Sequence, residues 1–263
     1  MKTEINGLSV YLSGDDKNQS LIFVHGFPYD HTMWDAQVNA LSDKYFCITY
    51  DIRGLGESYV GDGQYTMEAF VWDLYSIIDE LNLEQPVICG LSMGGYISLR
   101  AVEKEQKRFK ALILLDTRSE SDDNVGKLKR ANAINKINID GLDAYVDNFV
   151  PLCFSKKTIE RNSDMFYSIL SKCKSNNPVG VKGSQIAMLS RTDTTLSLKK
   201  IKIPTLVLVG KNDTLTSPEV MKKLAKKIKS SKFHIVPKAG HMTPLENPEY
   251  VNKKIRTFLD KKL

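Results

Sequence analysis

Cysteine is scarce in this sequence and carries no pattern. The 263 residues include four, Cys47, Cys89, Cys153 and Cys173. None stands in C-x-x-C spacing, which argues against a disulfide framework and against a zinc site. Cys47 in FCITYD and Cys89 in PVICG lie inside apolar, strand-like runs, where a thiol acts as a small hydrophobe. Long hydrophobic runs are also missing: the strongest stretches are about six residues, far short of the ~20 that span a bilayer. The opening MKTEINGLSVYL carries Glu4 and no apolar signal core. These absences predict reduced thiols, a cytoplasmic location and no membrane partner.

What is present is ordinary for a globular chain: 42% hydrophobic, 26% charged, 16 Gly and 9 Pro, which excludes disorder, collagen and coiled coil. The net charge of +6 lies mostly at the C-terminal end. Residues 1–118 carry 10 basic and 17 acidic groups, 119–198 carry 11 and 9, and 199–263 carry 16 and 5. Much of that excess falls in PEVMKKLAKKIKSS, where Val220, Met221, Leu224, Ala225 and Ile228 form an apolar stripe at helical spacing. The lysines fall on the other side, without interleaved aromatics, so a solvated helix is expected and nucleic acid is not.

Short apolar runs alternate with amphipathic stretches, the pattern of a mainly parallel sheet with helices on both faces. Strands are expected at 20–26, 45–51, 86–92 and 110–116, and helices at 32–43, 66–82 and directly after Ser92. From 119 to 198 the rhythm breaks into helical patterns (KLKRANAINKI, LDAYVDNFVPLCF, SDMFYSILSKC), and it resumes with PTLVLVG at 204. KFHIVPKAG and a helix near 248–262 close the chain. Residues 1–118 and 199–263 are therefore expected to form one core domain. Residues 119–198 are expected as a helical cap inserted over the carboxyl ends of the strands, where open α/β sheets bind ligands.

The sharpest chemical feature is Gly90-Leu91-Ser92-Met93-Gly94. Alone, G-x-S-x-G is a weak signal. Here an apolar strand runs into it and a helix leaves it, which is the context of a nucleophile elbow. A serine needs a base, and there are four histidines. His25 ends a strand, His31 lies in the following loop, and His234 sits mid-strand and reads as structural. His241, in PKAGHMTPLENP, follows the last strand at the same sheet end as Ser92 and is the base candidate. Asp213, just past PTLVLVG, is the candidate for orienting that imidazole. Asp116 at the end of ALILLD is its rival, and Asp51 reads as structural. The order Ser92…Asp213…His241 suits this arrangement. The backbone N–H groups of Met93 and Phe27 are the candidate oxyanion donors.

His25-Gly26-Phe27-Pro28, Asp51-Ile52-Arg53-Gly54-Leu55-Gly56-Glu57-Ser58, the GLSMGG elbow, VGKND and AGHMTPLENP together resemble the α/β-hydrolase fold family. The resemblance spans essentially the whole chain and is weakest in the cap. Within the family the chain is similar to small bacterial carboxylesterases and 3-oxoadipate enol-lactonase-like hydrolases, the stretch LLDTRSESDD included. It implies Ser92 as nucleophile, Asp213 as acid, His241 as base, and Phe27 and Met93 as oxyanion amides, with no cofactor and no metal. Leu55 departs from the His often found at its place in the D-x-R-G-x-G-x-S turn, a position without catalytic duty. A serine at the elbow speaks against epoxide hydrolases and haloalkane dehalogenases, which carry Asp there.

Phe27, Met93 and Met242 flank the catalytic candidates and should line an apolar wall. Tyr145, Phe149 and Phe166 are the cap residues expected to meet substrate, and most of the other apolar ones, Leu152, Phe154, Met165, Tyr167 and Met188, are expected as cap core. Arg161 or Arg191 would be placed for a substrate carboxylate if either leaves the surface. The expected partner is a small-molecule ester or lactone with a small to medium acyl group. The same triad also serves cofactor-free perhydrolases, thioesterases and C–C hydrolases, and the fold also serves ligand receptors with slow turnover. The motifs alone do not separate these.

Overall fold

A computed structural model describes residues 1–262. The chain opens on a hairpin of β1 (Lys2–Ile5) and β2 (Leu8–Ser13). The two strands turn at Asn6 and Gly7, with φ of 50° and 79°. Two left-handed residues give a turn whose twist suits paired strands, and Asn-Gly is its usual sequence. This hairpin is absent from the elements expected above, although its turn signal is plain in the sequence.

The other strands are β3 (Ser20–Val24), β4 (Phe46–Tyr50), β5 (Val87–Leu91), β6 (Ala111–Leu115), β7 (Thr205–Gly210) and β8 (Ser231–Val236). They form one sheet in the order β1-β2-β4-β3-β5-β6-β7-β8. The sheet is parallel from β4 through β8, with β2 antiparallel to β4. Every residue of β3, β5 and β6 is buried, because helices cover both faces; such strands read as continuous apolar runs. Edge strand β8 is only half-buried.

The core helices are α1 (Asp35–Leu41), α2 (Met67–Glu80), α3 (Met93–Glu105), α8 (Pro218–Lys227), α9 (Thr243–Glu246) and α10 (Pro248–Lys262). Thr66 caps α2 by accepting from the Ala69 N–H, and α8 buries Met221, Leu224 and Ala225 while its lysines face water. Between β6 and β7 stand α4 (Asn124–Phe149), α5 (Lys156–Arg161), α6 (Ser163–Lys174) and α7 (Pro178–Ser190). Gly141, at φ 86° and ψ 166°, breaks α4 into two helical pieces, matching the two separate patterns in the sequence. The pattern reading omits α7, whose apolar residues do not form one stripe. A Cβ on Gly180 would fall 1.8 Å from the Gly54 carbonyl oxygen, so this helix lies backbone-close to the turn after β4.

These helices sit over the carboxyl ends of the strands. The Asn176 side chain donates to the Pro28 carbonyl at 2.8 Å and accepts from the Gly56 N–H at 2.8 Å. All four cysteines are free and buried; burial pushes the Cys47 and Cys153 thiols up to about 12. No described helix is long and apolar enough to cross a membrane.

Candidate active site

Ser92 sits between the last residue of β5 and the first of α3, with φ 53° and ψ −113°. A non-glycine residue is held there only when its surroundings over-determine it. They do: the Ser92 N–H donates to the Leu115 carbonyl at 3.0 Å, and its carbonyl accepts from the Thr117 hydroxyl at 2.8 Å. The turn also needs bare backbone, since a Cβ on Gly94 would lie 2.1 Å from the Val24 carbonyl oxygen. Met93 opens α3, so its N–H has no acceptor within the helix. Gly26 packs beside the elbow: a Cβ there would be 3.4 Å from the Ser92 Cβ. That contact brings the loop carrying Phe27 against the serine.

His241 and Asp213 come together from the loops after β8 and β7. Nδ1 of His241 donates to Asp213 Oδ2 at 2.9 Å, with both side chains almost wholly buried. The other carboxylate oxygen, Oδ1, accepts from the N–H groups of Leu215 and Thr216 at 2.8 and 2.9 Å, and the Thr216 hydroxyl donates to Oδ2 at 2.6 Å. Burial alone would raise the Asp213 pKa. The His241 charge and these donors outweigh it and hold the carboxyl well below the usual carboxylate range. Thr216 escaped the sequence reading; the Asp-x-x-Thr spacing that lets a side chain cap its own loop was its signal.

Asp116 occupies a different place. It is fully buried with φ 44°, accepts from the Gly210 N–H at 2.8 Å, and is hydrogen-bonded to the Thr243 hydroxyl. Burial first, and then the neighbouring Asp213 charge, push its pKa well above the usual range. The carboxyl next to His241 is Asp213; Asp116 braces β6 against β7 and the loop after His241.

That loop is also tied to the helical insertion. The His241 N–H donates to the Cys153 carbonyl at 2.9 Å. Glu246 brackets the histidine, its Oε1 accepting from the N–H groups of Gly240 and Met242 at 2.8 and 3.2 Å. Its Oε2 accepts from the Ser155 N–H at 2.9 Å and the Thr158 hydroxyl at 2.6 Å. Glu246 was missed as a site residue because its partners in the insertion stand 91 and 88 positions away in sequence.

The remaining histidines lie in other surroundings. His25 Nε2 accepts from the Ile52 N–H at 2.9 Å while Nδ1–H donates to the Gly26 carbonyl at 2.8 Å. Burial lowers its pKa, so the neutral form is favoured. His31 Nδ1 lies 2.7 Å from Asp51 Oδ1, and its ring stacks on Tyr11 at 3.5 Å. His234 is on edge strand β8, its pKa lowered by burial and by Lys254 and Lys232.

Of the expected wall, Phe27 meets Phe149 at 5.7 Å and Tyr145 at 6.4 Å between ring centroids, and those two rings stack on each other. Met93 and Met242 are buried beside Ser92 and His241 in the chain. Phe166 packs edge-on against Phe154 and Tyr167, two other residues of the insertion, 5.4 Å from each. Leu152 and Tyr167 are exposed, unlike the cap-core residues they were expected to be. Arg191 is neither at the surface nor free: it is 6% exposed, pairs with Asp122 at 2.9 Å and lies 4.2 Å from the Tyr96 ring centroid. Arg161 is exposed at the end of α5.

The family model of the alpha/beta hydrolase fold matches residues 19–248, and the chain belongs to that family. A 3-oxoadipate enol-lactonase of Acinetobacter baylyi is 28% identical over 242 residues, covering 92% of this chain and 89% of the relative. Among solved structures, a thermophilic esterase from Thermogutta terrifontis, with malate bound, superposes with a TM-score of 0.94 at 34% identity, over 99% of this chain and 98% of that one. The enol-lactonase of Burkholderia xenovorans LB400 shares the fold at a TM-score of 0.91 and 24% identity, over 99% and 100% of the two chains.

Proposed function

We propose that the protein is a serine hydrolase that cleaves a small to medium carboxylic ester or lactone through an acyl-enzyme on Ser92. The observation that carries this is the buried 2.9 Å hydrogen bond from His241 Nδ1 to Asp213, at the sheet end where a serine is held at positive φ. With Nδ1 donating to the carboxylate, Nε2 is the basic nitrogen and can take the Ser92 proton. Ser92 Oγ then attacks the substrate carbonyl, and the N–H groups of Met93 and Phe27 stabilise the oxyanion. Preorganised donors of this kind are worth about 2.7–4 kcal/mol each. His241 returns its proton to the departing alkoxide oxygen as the carbon–oxygen bond breaks. Water, deprotonated by His241, hydrolyses the acyl-enzyme by the same steps in reverse. The ionised Asp213 stabilises the imidazolium formed at each transfer.

Similarity to an esterase and to enol-lactonases supports the ester or lactone class. The aromatic group of Phe27, Tyr145 and Phe149 supports an apolar acyl or alcohol portion. The test is turnover of p-nitrophenyl esters from acetate to laurate, compared with Ser92→Ala. Turnover with a chain-length optimum, lost in the variant, is expected. Equal turnover by the variant would overturn the assignment.

A further inference from the structure

A concavity lies away from Ser92, Asp213 and His241. It has a volume of about 570 Å³ and runs between α5 and the loops that follow β7 and β8. That size is within the ~300–1,000 Å³ of small-molecule pockets, and four of its lining residues carry a positive charge. Lys157 and Arg161 project from α5, Lys211 from the loop after β7 and Lys238 from the turn after β8. None of these four cations is in an ion pair among the described residues. Glu246, the carboxylate that also lines the cleft, already accepts from four protein donors.

Two physical points separate this cleft from an ordinary lysine-rich surface. Like charges gathered around a concavity repel each other, and its walls focus their field inward, so an anion placed there relieves the repulsion. The lysines of α8 lie instead along one convex helix face, where water screens each separately. The second point is Lys238, which adopts φ 60°. Lys238 therefore lines the cleft from a left-handed turn, a conformation that non-glycine residues adopt uncommonly.

We propose that this cleft binds a small molecule bearing two or more anionic groups, phosphates or carboxylates, bridging α5 and the core beside the loop of His241. The site is separate from the triad, and its test does not depend on hydrolytic activity. Isothermal titration calorimetry of the full chain with pyrophosphate, and separately with succinate, should show one saturable site that weakens as salt rises.

The combined Lys157→Ala, Arg161→Ala, Lys211→Ala and Lys238→Ala variant should bind at least about tenfold more weakly. A control with Lys222→Ala, Lys223→Ala, Lys226→Ala and Lys227→Ala, which removes the same charge from α8, should keep wild-type affinity. Should the combined variant not fold, Lys238→Gly, which also relieves the strained φ, should weaken binding without lowering Tm. Saturation by pyrophosphate alone assigns phosphate groups, by succinate alone carboxylates, and by both any small molecule that carries two such anionic groups. Equal loss in the two charge variants, or no saturable heat with either anion, overturns the proposal.

Discussion

The backbone N–H of His241 donates to the carbonyl of Cys153 at 2.9 Å, so the residue assigned as general base is pinned by the helical insertion as well as by the sheet. Glu246 reinforces the link from both sides of the histidine and reaches Ser155 and Thr158 at the start of α5. The position of the base and the seating of the insertion are thus one hydrogen-bond network. A shift of about 1 Å at such a base costs up to ~10²-fold in rate.

Glu246 is therefore expected to act as a positioning residue. Glu246→Ala should lower kcat about 10–100-fold with a smaller change in KM, because it frees the loop rather than the substrate wall. Glu246→Gln keeps one acceptor oxygen for Gly240 and Met242 and should recover much of the loss. Steady-state kinetics of the two variants checks this; a pure KM effect, or equal damage from both, would contradict it.

Asp213→Asn should cost roughly 10⁴-fold in kcat, since an amide in that place favours the wrong imidazole tautomer. The same group has a pH signature. Its folded pKa lies below its unfolded value of ~3.9. The stability it contributes is therefore present above the unfolded pKa and is lost as pH falls through the folded one. Urea denaturation of wild type and Asp213→Asn should show a constant gap from about pH 7 to 5 that narrows below about pH 4.

Asp116→Asn should behave in the opposite way. A carboxyl whose folded pKa is raised loses stability for the fold as pH climbs from the unfolded pKa toward the folded one. Asparagine keeps the acceptor for Gly210, can donate to Thr243, and tolerates φ 44°. The variant should retain most activity, and its Tm relative to wild type should rise between pH 4 and pH 7. A collapse of kcat in Asp116→Asn with Asp213→Asn still active would reverse the assignment of the acid.

The parallel core was legible because strands buried on both faces, such as LIFV and ALILL, read as unbroken apolar runs. Ser92, Asp213 and His241 could be singled out because each lies at or shortly after the end of a strand, at the same sheet end. The β1–β2 hairpin was passed over although Asn6-Gly7 marks it, since β1 has one buried residue among four and shows little hydrophobic pattern. Helix α7 was hidden by Gly180 and Gly183, which serve close backbone contact rather than an apolar stripe. Glu246 and Arg191 depend on partners distant in sequence, and no local spacing encodes those. Arg191 looks like a surface cation until Asp122 and Tyr96 are brought around it.

The central claim is most directly tested by labelling the protein with a fluorophosphonate and reading intact mass and peptide map together. One adduct per chain, on the peptide containing Ser92, is expected, absent from Ser92→Ala and formed far more slowly in His241→Ala. An adduct on a cysteine or another serine, or undiminished labelling of Ser92→Ala, would contradict the account.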